Sequence, residues 1–106
     1  MIEVLLVAER LIAEGALDPA ERLFAHVADA DPRNAIAVAG LARVALARGD
    51  RPRALEYARR ALAIDPDEAA ARRLVGELEA AHLRVEVAAG RLSLWHRILR
   101  VMGLRN

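Results

Sequence analysis

The residues of this chain that could do chemistry are few and scattered. Histidines stand at positions 26, 82 and 96, with no second histidine or carboxylate at a recurring ligand spacing. Surface imidazoles fit that placement better than metal ligands do. Asp65, Asp67 and Glu68 form a short acidic run, but the twelve-residue calcium loop with its central glycine and closing glutamate is missing. Helix capping accounts for the run. Glu9, Glu77 and Glu79 would pair as acid and base only if a fold converged them, and a solvated face explains them. Ser93 is the only serine, and the chain has no threonine and no cysteine. Nucleophilic catalysis therefore has one poor candidate and no triad. Disulfides, iron–sulfur clusters and thiolate zinc sites are excluded. A glycine-rich phosphate loop is also missing. The expectation is a protein without enzymatic activity, cofactor or metal.

The remaining unusual chemistry is charge. Net charge is +1, but Gly90 to Asn106 carries Arg91, Arg97, Arg100 and Arg105 and no acid. The rest of the chain is acidic on balance. Within this tail Leu92, Trp95, Leu99 and Met102 follow helical spacing, and Leu94, Ile98 and Val101 broaden the apolar face. His96, Arg97, Arg100 and Arg105 hold the polar side. The stretch Leu92 to Leu104 has three readings: a cap on the rest of the fold, a docking helix for a second copy or another protein, or a helix lying on an anionic membrane surface. Four arginines and one tryptophan make a weak footprint for nucleic acid, and the near-neutral overall charge argues against that partner.

The elements that position these residues are all helical by pattern. Apolar residues make up 56% of the chain but aromatics only 3%. Alanine, the best helix former, supplies roughly a quarter of it. All sixteen basic residues are arginine, which with the alanine load suggests GC-rich, bacterial-like coding. The spacing predicts a first helix over Ile2 to Glu14, stopped by Gly15, with Val4, Val7, Ala8 and Leu11 inward. Asp18-Pro19-Ala20-Glu21 reads as the capped start of a second helix, with Ala20, Leu23, Phe24 and Val27 inward. Asp31-Pro32 breaks it. A third helix follows from about Asn34 to Arg48, and Gly49-Asp50 opens a fourth, ended by Asp65-Pro66. A long fifth helix runs from near Asp67 towards Gly90. Ser93 caps a sixth, from Leu94 to about Met102.

The central stretch repeats itself. Gly15, Ala20, Phe24, Val27 and Asp31-Pro32 recur 34 residues later as Gly49, Ala54, Ala58, Ala61 and Asp65-Pro66. A 34-residue period of this kind marks a helix–turn–helix repeat. The pattern resembles the tetratricopeptide repeat family, with two good repeats (about 1–34 and 35–68) and a degenerate third from 69, where Val75-Gly76 is followed by Ala88, Leu92 and Trp95. Small residues at Ala8, Ala42 and Gly76 then face Ala20 and Ala54. The resemblance implies a right-handed superhelix of antiparallel helix hairpins, with the repeats in 1–89 and a basic amphipathic helix in 90–106. It also implies a non-catalytic module that binds a peptide or helix of another protein in a concave groove. By phase, that groove contains Ile2, Leu5, Glu9, Ile12, Ile36, Ala39, Arg43, Leu46, Ala70, Arg73 and Glu77. Leu5, Glu9 and Gly40 stand where the carboxylate-gripping subgroup of the family places part of its polar clamp. An apolar segment or amphipathic helix is therefore the expected ligand.

Repeats of this kind need about three copies to bury their faces. Two and a half leave an apolar end to be covered by the C-terminal helix, a second copy or a partner, so self-assembly is a further possibility. No stretch is long and apolar enough to span a membrane, and the first residues carry no basic start before their apolar run. A cytoplasmic protein is expected.

Overall fold

The structure, a computed structural model, describes residues 2–103, the side chain of Leu92 excepted. The expected contributions of Leu104 and Arg105, and of the Leu92 side chain, lie outside the described residues. Five helices follow in order: α1 (Ile2–Ala13), α2 (Leu17–Ala30), α3 (Ala35–Ala47), α4 (Arg51–Ile64) and α5 (Ala69–Val101). The chain divides into two compact units, Met1–Gly76 and Glu77–Asn106.

The 34-residue period is visible in the backbone hydrogen bonds. After α1, Gly15 takes a left-handed φ of +78°. Its N–H donates to the Ile12 carbonyl at 3.0 Å, and the Ala16 N–H donates to that of Leu11 at 2.8 Å. After α3, Gly49 repeats the arrangement with φ +81°. Its N–H reaches Leu46, and that of Asp50 reaches Ala45, both at 2.9 Å. This double bond is the Schellman closure, and it requires the φ that glycine alone adopts at no cost. The two Asp-Pro breaks match as well. Asp31 Oδ1 accepts from the Arg33 N–H at 3.2 Å, and Asp65 Oδ1 from the Asp67 N–H at 3.0 Å. Three helix starts then carry side-chain caps: Asn34 to the Ala37 N–H at 3.1 Å, Asp50 to that of Arg53 at 3.2 Å, and Glu68 to that of Ala71 at 2.7 Å.

The start of α2 differs from expectation. Its N-cap is Ala16, without a side-chain cap, so Asp18 and Pro19 lie inside the first turn. Proline is tolerated there because the first four N–H groups of a helix have no internal partner. Asp18 is drawn elsewhere: its carboxylate accepts from Arg48, which also pairs with Glu21.

In the first unit, α1 packs on α2, α2 on α3 and α3 on α4, with a lighter contact between α1 and α3. Ala8, Ala20, Ala42 and Ala54 are buried to 0% exposure, so helix backbones approach closely wherever the repeat placed small residues. Val7 is exposed rather than inward. α3 sits at the centre and buries most of its surface, including Ala37, Val38, Gly40, Leu41, Ala42 and Val44.

The tightest fit is between Phe24 and Gly40. Phe24 is the largest fully buried side chain among the described residues. A methyl group added at Gly40 would overlap ring atoms Cγ, Cδ1 and Cε1 of Phe24. One repeat later the sizes are exchanged: Ala58 stands in the place of Phe24 and Leu74 in that of Gly40, both buried. A large residue and a small one are thus exchanged between the two equivalent positions, which keeps the summed volume and changes its distribution.

The expected sixth helix is not separate. α5 passes through Gly90 and Ser93 without a break. A lone helix-interior glycine costs only about 1 kcal/mol relative to alanine, and neither a proline nor a second turn residue accompanies it. The Gly turn of a third repeat is also missing at Leu83, so Ala88, Leu92 and Trp95 share one helix with Val75. Gly76, expected in a third close contact, has nothing within 4 Å of where its Cβ would lie. The helix hairpin that would fill the space is never formed.

Gly40→Ala tests the Phe24 seat. Better helix propensity would favour alanine by up to about 1 kcal/mol, but overpacking against a buried ring costs about 1–3 kcal/mol. The variant should lose about 1 kcal/mol in urea denaturation, and Phe24→Leu in the same chain should reduce that loss by making room.

Candidate functional site

Among the described residues, no three His, Asp or Glu side chains converge as metal ligands. His82 Nε2 lies 3.0 Å from Glu86 Oε1, one helical turn away. Ser93 and His96 share one side of α5 with Ala89, Arg97 and Arg100, a set without a carboxylate. Two shallow clefts of about 180 and about 220 Å³ adjoin Tyr57, both below the roughly 300–1,000 Å³ typical of small-molecule pockets. These features do not form a catalytic centre.

The feature that stands out is a face shared by α1 and α3. Positions 34 apart on these helices lie side by side: Arg43 Nη1 donates to Glu9 Oε1 in a half-buried ion pair. The flanking equivalents are apolar: Ile2 with Ile36, and Ile12 with Leu46. Ile2 is 74% and Ile36 54% exposed. Leu5 and Ile12 are half-buried, packed against the core cluster of Ala8, Ala20, Phe24, Leu41 and Val44. Leu46 is half-buried too. Ala39, placed in the groove by phase, is only 1% exposed. It lies beneath the face and offers a ligand no surface. Arg73, in the first turns of α5, is exposed, and Glu77 is exposed in the second unit.

The side chains expected to act from the C-terminal stretch are open. Trp95 is 58% exposed and Met102 is exposed. Leu99 is half-buried, and Arg97 and Arg100 are exposed.

Residues 11–78 match the tetratricopeptide repeat as a family. The chain belongs to the tetratricopeptide repeat family. Such repeats generally mediate protein–protein interaction and are typically non-catalytic. No curated protein matches the chain significantly. Among the described residues, no helix of this tetratricopeptide repeat protein is long and apolar enough to cross a membrane.

Two features of the repeat unit were not evident from motif reading. One is the seat of Phe24 on Gly40, for which the signal is the exchange of large and small residues one period apart. The other is Arg48, the C-cap residue of α3, clamped between Asp18 and Glu21. A cation at a helix C-terminus with acids three positions apart on the preceding helix is the pattern that reveals it.

The Glu9–Arg43 pair can be isolated by a double-mutant cycle with Glu9→Ala and Arg43→Ala. Both side chains are about a third or more exposed, so solvent screening limits the coupling to about 0.2–1 kcal/mol. It should shrink further in high salt.

Proposed function

We propose that this protein is a cytoplasmic, non-catalytic adaptor. Its α1–α3 face holds an apolar segment or amphipathic helix of another protein. The Glu9–Arg43 pair is the observation that supports this most. It lies where the two first helices of the repeats run side by side on the shared core, and it neutralises the charge at the middle of their common face. What remains for a ligand is apolar, with Ile2, Leu5, Ile12, Ile36 and Leu46 around a mutually satisfied ion pair. An amphipathic helix recognises such a surface through anchors at helical spacing.

The same geometry weighs against an acidic or carboxylate-ended ligand. Arg43 already has its carboxylate, and Gly40 is covered by Phe24. Arg73 is an exposed cation at the groove position of the helix that follows in phase. It suits an acidic residue at the rim of a helical ligand, which would affect association rate and orientation more than affinity.

Display of random and helical peptide libraries against the purified protein tests the reading. Amphipathic sequences with apolar anchors three and four apart should be enriched. Ile36→Glu, at an exposed position that leaves the core untouched, should weaken a selected peptide at least tenfold by calorimetry, while Glu56→Ala on α4 should not. Enrichment of peptides defined by a free C-terminal carboxylate would contradict it.

A further inference from the structure

The α1–α3 face has a spacing that narrows the choice of ligand beyond apolar character. Along α1 its positions are Ile2, Leu5, Glu9 and Ile12, and along α3 they are Ile36, Ala39, Arg43 and Leu46. Both sets step by three, four and three residues. That is the spacing of a coiled-coil seam, and it occurs twice, in register, on neighbouring helices. A third helix laid along the two would meet them layer by layer. With the α1–α3 face taken as the binding site, we propose that the ligand helix carries a side-chain amide, asparagine or glutamine, at the layer of Glu9 and Arg43, and apolar residues at the other layers.

The layers differ in kind. Ile2 with Ile36 and Ile12 with Leu46 are apolar and accessible. Leu5 with Ala39 is apolar and recessed, because Ala39 is short and buried, so a large apolar side chain of the ligand fits there. The layer between Ala39 and Leu46 is the ion pair. Arg43 gives one N–H of its guanidinium to Glu9 Oε1. Both side chains keep about a third or more of their surface open, and each group has further donors or acceptors to satisfy.

A helix seated on the face excludes water from this layer. An apolar side chain there would leave those donors and acceptors unpaired, which is costly once they are buried. A ligand glutamate would face Glu9 and a ligand lysine would face Arg43, so each meets a like charge. An amide answers both partners at once, since its carbonyl oxygen accepts from Arg43 while its NH2 donates to Glu9. Such a layer also fixes register, as a single asparagine does in a coiled-coil seam. A slip of one layer would bury the amide against Ile12 and Leu46, where it has no side-chain partner. The amide is the third seam residue of a ligand parallel to α1 and the second of an antiparallel one.

The test uses helical peptides with acetylated and amidated ends. Leucine occupies all but one seam position, and the remaining one, second or third, holds asparagine, glutamine, leucine, glutamate or lysine. Glutamine, leucine, glutamate and lysine have similar helix propensities, so peptide helicity does not decide the ranking. Titrated into the wild-type protein, the better amide peptide of one register should bind about tenfold tighter than its leucine, glutamate and lysine counterparts, as expected for hydrogen bonds to charged groups. In the Glu9→Ala, Arg43→Ala double variant, with folding checked by circular dichroism, the leucine peptide should bind at least as well as the amide peptides. The proposal is overturned if leucine, glutamate or lysine binds the wild type as tightly as the amide in both registers, or if the amide preference persists in the folded double variant. Either result leaves the face as a binding site provided Ile36→Glu still weakens the peptide. Binding of none of the peptides, or binding that Ile36→Glu does not weaken, removes the face and the proposal together.

Discussion

The contact of Phe24 with Gly40 is the constraint on which the repeat unit depends. With three aromatic residues in 106, the chain has little bulk with which to fill a core. It compensates by bringing helices close, and closeness demands that the one large ring of α2 find a residue without a side chain on α3. Complete burial of a phenylalanine contributes up to about 3 kcal/mol, a large share of the stability of a small array. Around it Leu41 and Val44 complete the core cluster, with Leu5, Leu11 and Ile12 packed against it, and the buried alanines contribute through close fit rather than area. One repeat later the equivalent positions hold a buried Ala58 and a buried Leu74, of about the same summed volume.

That packing also prepares the surface. α3 is held on both sides, by α2 and by α4, and is buried along most of its length. Ile36, Arg43 and Leu46 therefore project from a helix packed on both sides. A ligand would not have to order them, which lowers the entropic cost of binding. Glu9 reaches over from α1 to satisfy Arg43, so the face is built without an unpaired charge at its centre.

Much of this was legible in the residues. Gly15 and Gly49, the two Asp-Pro breaks and the alanines in phase gave four helices and, Val7 excepted, the residues they turn inward, since each acts through local backbone chemistry. The reading failed where distant partners decide. Asp18 has the type and spacing of an N-cap, but Arg48 draws it into an ion pair. Ala39 has the phase of a groove residue, but its side chain is too short to reach past its neighbours. Gly90 and Ser93 resemble a helix boundary, yet a single glycine is too small a penalty to break a run of good helix formers. The ion pair of Glu9 with Arg43 could be placed on one face by period alone, but its closure depends on the spacing of α1 and α3, which the core sets.

The most direct test of this account is native-state amide hydrogen exchange, residue by residue. If the Phe24 seat holds the unit together, the amides of α3 from Ala39 to Ala45 and those around Phe24 should exchange slowest, by global unfolding alone. Faster exchange is then expected in α1. If α3 instead exchanged through local openings of low free energy, at the rate of α1, the central helix would not be the rigid support that the proposed binding face requires, and the account would be wrong.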